Sequence, residues 1–511
     1  MKTNRSKKVA VTRGCLCAVL LGLAGVSSVQ AQRTWQVNDG AWTTGSNWAG
    51  GVPAGTTTAN DAVFLISAPS ADASIEVTLD GGAHQAGAIR AGLGKSVTLE
   101  MADGAALTTG NWWRVGENIG GGSGSGHVTI NGPESGGATI AAGYFHVGSS
   151  LFSNGGNTLT FSGNLTVTDN STSVSAIGRI TDNNTMTVSQ GASVTRHTLV
   201  ISPNNTGAGR VNNGLVVDGA GSELIVNGGA LSVGNTAEAR SNYVSVANNG
   251  TVEVKLGQAL VIGAASGFGG NNVTISSGGM LLATGATTIL GFAANGGDND
   301  GANSLSIQSG GTYSSSGVTT VTGVLQLAAG GVLEGSATVN LNSTGRFEAA
   351  GTGLAETVTT NINDGTLAIG LTGAAAASEL TLNSGMTFSD GATLELTLFS
   401  SASDGIDRVA FGGDGGFDLT GTVSLELVLS GYAPVAGDSW TVFSGNTAGI
   451  GGVGQFDLSS LDPEVWDTSN FSEAGGWQLS VVPEPSSLAL LGFSLAGLLY
   501  CGRSRKHGRE R

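Results

Sequence analysis

The densest group of oxygen ligands in the chain is Asp298-Asn299-Asp300-Gly301, and Asp404 with Asp407 forms a second acidic pair. Carboxylate and amide oxygens in a glycine-rich turn suit a calcium ion. Neither group has a full ligand set, nor the Glu twelve residues from the first Asp that a calcium-binding helix-loop-helix carries. Asp298 and Asp300 therefore read as a solvated turn: no cofactor is expected, and calcium is the one they would suit. His84, His127, His146 and His197 are scattered, without the i, i+4 spacing or cysteine partners of a zinc site. Gly94-Lys95-Ser96 ends like a phosphate-binding loop, but Ile89 stands where the first glycine of that loop is required. No G-x-S-x-G nucleophile elbow occurs.

The elements that would have to position such groups are set by the two ends and by what lies between them. Residues 1–31 read as a secretory signal peptide: Lys2, Arg5, Lys7, Lys8 and Arg13 are followed by an apolar run from Cys15 to Val26. Val29-Gln30-Ala31 offers the small residues a signal peptidase needs, so cleavage falls between Ala31 and Gln32. At the other end, in 482–511, Pro483-Glu484-Pro485 precedes an uncharged run from Ser486 to Cys501 and then Arg503, Arg505, Lys506, Arg509 and Arg511. Sixteen helical residues span roughly 24 Å, short of a hydrocarbon core of about 30 Å, so a single transmembrane helix here is marginal. The basic tail belongs on the cytoplasmic side. Proline fixes the triplet as a stiff segment just outside the helix, a form that suits a protease.

Pro483-Glu484-Pro485, the apolar run and the arginine-rich terminus together resemble the PEP-CTERM sorting signal of bacteria with two membranes. The resemblance implies recognition and processing by an exosortase-type membrane protease during export.

Cys15 and Cys17 leave with the signal and Cys501 sits in the anchor, so disulfides contribute nothing to the exported part. Residues 32–481 hold 11 basic against 35 acidic residues, a net charge of −24. That balance excludes a nucleic-acid partner. With 86 glycines, 11% charged residues and no long 3.6-residue apolar pattern between the ends, a helical bundle is excluded as well. A 40% hydrophobic content is too high for a disordered chain.

From Ile75 onward a loose repeat governs the chain: alternating apolar residues, a glycine turn, then a second short strand. It recurs around Gly104, Gly191, Gly250, Gly279, Gly311, Gly331, Gly345, Gly365 and Gly391. Constant local grammar at irregular spacing predicts an all-β, elongated right-handed parallel β-helix, a solenoid over 67–400. Glycine is expected to supply positive φ at the corners. Asn183-Asn184, Asn212-Asn213, Asn248-Asn249 and Asn271-Asn272 stand just before strands, where they tolerate the left-handed region and allow stacked amide ladders.

Trp35, Trp42 and Asn47-Trp48, followed by Gly51, Pro53, Asp61 and Phe64, predict an aromatic cap over 32–66, with sugar stacking on an exposed Trp42 or Trp48 as the functional rival. This segment resembles the start of exported proteins built of autotransporter-associated β-helix repeats. Tyr432, Pro434, Gly437 and Trp440 mark a change of grammar similar to the closing module of such proteins, and 401–481 is expected to form an antiparallel β cap or small sandwich over the unpaired edge of the last coil.

A polysaccharide-cleaving site would need paired carboxylates, or a carboxylate and a basic residue, on adjacent coils. The basic residues are dispersed and no local acidic constellation recurs. The expected protein is therefore a non-enzymatic, exported structural or adhesion protein of the cell surface or extracellular matrix, contacting extracellular polysaccharide. It passes through a single-pass inner-membrane intermediate. The alternative is a secreted polysaccharide-binding or polysaccharide-degrading β-helix enzyme, a lyase or glycosidase.

Overall fold

A computed structural model describes residues 33–482 except 57–60, 65–73, 93, 118–123, 149–154, 204–210, 235, 237–238, 256, 264–268, 291–301, 355–356, 473 and 475. The signal segment with Ala31 and Gln32, the Asp298 and Asp300 turn, Pro483-Glu484-Pro485 and the span and basic tail after it lie outside the described residues. Among the described residues no helix is long and apolar enough to cross a membrane.

The coil that begins at Thr185 shows how the chain is built. Thr185–Ser189 alternates outward threonine and serine with buried Met186 and Val188; the chain turns at Gly191, runs through Ser193–Arg196, bends, and continues as Thr198–Ile201. Such a coil cannot bury its own apolar side, and β-branched outward residues favour an extended backbone. Stacking solves both needs. Met186 lies beside Leu159 of the coil before and Leu215 of the coil after. Val194 pairs with Val167 and Leu224, and Val200 with Ala176 and Ser232. Each strand thus pairs in parallel with the strand one coil away.

Repeated along the chain, this pairing produces three long sheets, of 17, 16 and 10 strands among the described residues. The protein is all-β with parallel strands in long sheets, the strand order of a β-helix. Inward residues fall into continuous rows, such as Val97, Val128, Leu159, Met186, Leu215 and Val244, none more than 1% exposed. Burying each side chain of that kind contributes about 1.5–3 kcal/mol.

The turn glycines divide into two kinds. Gly104, Gly191 and Gly391 have positive φ, as expected. Gly250, Gly279, Gly311, Gly331 and Gly345 do not; the left-handed residue is the one before in several turns, as at Asn249, Gly278, Gly310 and Gly330. A Cβ on Gly279 would sit 2.3 Å from the Val246 carbonyl of the coil beneath, and one on Gly345 only 2.1 Å from that of Val321. Close backbone approach, rather than φ, requires glycine there.

The antiparallel cap expected over 401–481 needs correcting. Parallel coil pairing runs on past residue 400: Thr422–Leu429 pairs with Thr393–Leu398, and Gln455–Asp457 with Thr422–Leu429. Among the described residues of this segment, antiparallel pairing is limited to Ser439–Thr441, Trp466–Asp467 and Gln478–Val481 and to an isolated bridge between Leu398 and Ile406. Long, well-alternating strands bury one face equally well in either direction, so alternation alone does not reveal pairing sense.

Aromatic rings fill both extremities. Trp35, Trp42 and Trp48 are at most 3% exposed, with Trp48 edge-on to Trp35 and Trp42 at 4.8 and 5.0 Å and its Nε1 donating to the Trp42 carbonyl at 2.8 Å. None presents a face to a sugar. Phe443 sits within 5.8 Å of Phe456, Phe471 and Trp477 at the other extremity.

Candidate functional site

The asparagines resolve first, because they look like polar ligands and are not. Asn157, Asn184, Asn213, Asn242, Asn271 and Asn303 are completely buried, one per coil. Each of the first five donates from Nδ2 to Oδ1 of the next, at 2.6, 2.7, 3.3, 2.9 and 2.8 Å. The same oxygens accept the backbone N–H of the asparagine one coil earlier. Both ends of each inner amide are satisfied, so the column is a structural brace with no capacity left for a ligand. Asn248 and Asn249 stand apart from it, in left-handed turn positions.

The histidines remain separate. His84 contacts the Asp80 carbonyl at 2.8 Å, His127 the Thr158 hydroxyl at 2.9 Å, and His197 the Thr198 hydroxyl at 3.1 Å. Among the described residues no group of three or more metal-type ligands assembles. Lys95 is buried. Asp404 is an exposed turn residue, whereas Asp407 is buried and accepts the backbone N–H groups of Ser378 and Thr397 at 2.7 and 2.8 Å. Burial raises the Asp407 carboxyl to about 6.

Two outward clusters carry more chemistry, and neither is visible as a local motif. In the first, Gln326, Glu348, Ala368 and Glu395 occupy one outward row on successive coils. Arg346 spans it: Nη1 and Nη2 donate to the two Glu395 oxygens at 2.7 and 2.6 Å, and Nε to Glu348 at 2.8 Å. A groove of about 220 Å³ lies alongside, lined by Arg346, Glu395, Thr397, Phe399, Leu429 and Ser430 among others. Burial opposes the Glu348 charge, but hydrogen bonds from Thr372, Arg346 and Gln326 outweigh it and hold its carboxyl below the usual range. A glycosidase pair needs one carboxyl kept protonated as an acid. Here one guanidinium occupies both carboxylates, a lock between coils rather than an acid and base pair.

The second cluster lies on the outward face of the largest sheet, near the amino-terminal end. Arg90, Arg114 and His146 are register neighbours on three consecutive coils. Trp112 and Tyr144 precede buried Trp113 and Phe145, so alternation turns them outward beside Arg114 and His146. The Arg114 guanidinium lies 3.6 Å from the Trp112 ring centroid and that of Arg90 5.4 Å from it. Glu117 joins the two, accepting from Arg90 Nε at 2.8 Å and Arg114 Nη1 at 2.6 Å. Arg179 Nη1 donates to His146 Nδ1 at 3.0 Å, since a guanidinium has nothing to accept with. Burial and the charges of Arg179 and Arg114 push His146 down to about 3, so it stays neutral. Asp61, 3% exposed and 3.9 Å from Arg90, is raised to about 6 by burial. Sequence reasoning missed this cluster because coil lengths vary, and only the register shows which residues meet.

Residues 481–506 match the family model of the PEP-CTERM protein-sorting motif. A chain carrying this motif is an exported protein, sorted by an exosortase-type system and passed through the membrane to the cell surface. No curated protein matches the chain. Among solved structures it is similar to the crystal structure of a TibC-catalysed hyper-glycosylated TibA fragment, at 13% identity and a TM-score of 0.26, over 75% of this chain and 98% of that one.

Proposed function

We propose that the chain is a non-enzymatic structural or adhesion protein of the cell surface or extracellular matrix. A signal peptidase releases it between Ala31 and Gln32, and residues 486–501 hold it in the inner membrane as a single-pass intermediate. An exosortase-type protease then cuts near Pro483-Glu484-Pro485 while Arg503, Arg505, Lys506, Arg509 and Arg511 stay cytoplasmic. What leaves is an acidic solenoid of autotransporter-associated type, wound right-handed as parallel crossovers almost always are.

The observation that carries this reading is the brace of coil-to-coil bonds: the asparagine column and the Arg346 lock spend their polar groups on one another. A protein so braced resists deformation along its length and presents its outward rows unchanged. The groove beside Arg346 supports the second reading, a polysaccharide lyase or glycosidase, because its lining brings together a carboxylate, Glu395, and a guanidinium, Arg346, from strands two coils apart.

Incubating the purified full-length chain with polyuronates and neutral glucans separates the two. The structural reading expects no new reducing ends and no unsaturated uronates. Products that vanish in Glu395→Gln would overturn it.

A further inference from the structure

We propose that the outward face formed by Arg90, Trp112, Arg114, Tyr144, His146 and Arg179 binds a carboxylated, uronate-bearing polysaccharide. The inference rests on the reading of the chain as a surface protein and names the polymer class it holds.

Charge is the first argument. The exported part carries 35 acidic residues against 11 basic ones, so a basic cluster on it is unusual, and three of those basic residues meet on this face. Glu117 and the buried Asp61 oppose them, and His146 adds no charge. The net negative charge of the exported part disfavours polyanions, and the three guanidinium groups locally oppose that repulsion.

Donor geometry is the second. Glu117 takes one N–H from Arg90 and one from Arg114. Each guanidinium presents five N–H donors in a fork that matches a carboxylate. Stacking on Trp112 fixes the plane of the Arg114 fork before any ligand arrives.

The third is the apolar strip beside the forks. Trp112, Tyr144 and Val174 follow one another on adjacent coils, with Trp112 and Tyr144 half-buried and Val174 46% exposed. Tyr144 lies 4.7 Å from the neutral His146 ring. Sugar C–H faces pack on such aromatic and aliphatic surface while their carboxylates reach the arginines alongside. A neutral glucan would leave the forks unused, and a small anion would leave the strip bare. A polyuronate uses both.

The test is affinity electrophoresis of the full-length chain in detergent through gels containing polygalacturonate or neutral dextran, with EDTA present. Retardation is expected in polygalacturonate only, weakening as salt rises from about 0.05 to 0.5 M. Arg114→Gln and Tyr144→Ala are each expected to weaken it at least fivefold, with unfolding temperatures showing that both variants remain folded. Arg408→Gln changes the net charge equally, far from this face, and is expected to leave retardation unchanged. The assignment is overturned by equal retardation in dextran, by retardation that requires calcium, by loss in Arg408→Gln equal to that in Arg114→Gln, or by none at low salt. A chain that reaches the cell surface but ignores polygalacturonate refutes this site and leaves the structural reading standing. Shortening of the polymer refutes that reading instead.

Discussion

Asn184 and Asn213 are 29 residues apart in sequence, yet Asn184 Nδ2 donates to Asn213 Oδ1 at 2.7 Å and its backbone N–H reaches the same oxygen at 3.0 Å. One side chain thereby ties two coils through both backbone and amide. Asn213 in turn bonds Asn242 in the same way.

Asn213→Ala leaves the buried N–H of Asn184 without an acceptor and removes one partner of its Nδ2, which keeps the Thr181 carbonyl. Such an orphaned group costs about 1–3 kcal/mol. In a stack of coils that loss is felt mainly by neighbouring coils. Urea unfolding should therefore show a lower midpoint or a separate early transition. A shift below about 0.5 kcal/mol, within the range of an ordinary surface substitution, would mean the column is ornamental.

Gly178 and Gly373 have similar backbone angles, φ 68° and 81°, but different surroundings. A Cβ on Gly178 would lie 2.1 Å from Asn213 Cγ, whereas one on Gly373 meets nothing within 4 Å. Gly373→Ala should cost only the left-handed strain, about 1–2 kcal/mol. Gly178→Ala should cost clearly more, because it also displaces the amide column. Equal costs in thermal unfolding would contradict this.

Asp61 is raised from 3.8 to about 6 by burial, so the folded chain binds that proton more tightly than the unfolded one. Its stabilising contribution is complete at the acid end and is lost as pH rises through about 6. Asp61→Asn is neutral throughout. The variant's unfolding temperature relative to the parent should therefore be higher at about pH 7.5 than at about pH 4.5. A difference independent of pH would show that Asp61 titrates normally.

Alternation and glycine turns made the coils legible, because a half-buried strand must place every second side chain inside. Half of the asparagine column was legible too: Asn184, Asn213 and Asn271 stand in doubled asparagines, while Asn157, Asn242 and Asn303 do not. A shared signal was present in the form of an Asn two residues before the first inward apolar residue: Leu159, Met186, Leu215, Val244, Val273 and Leu305. The outward clusters were illegible for a different reason. Arg346 and Glu395 are 49 residues apart, and Arg90 and Glu117 are 27 apart. Coils of unequal length hide such meetings until the register is known. Pairing sense beyond residue 400 was hidden likewise, since it leaves no mark on a single strand.

The sorting reading places a cleavage event at Pro483-Glu484-Pro485, and following the pulse-labelled chain through inner-membrane and surface fractions tests it most directly. With the native triplet a shortened chain should appear at the surface; with Glu484→Ala the full-length form should accumulate in the inner membrane. Identical fractionation of the two chains would contradict the account.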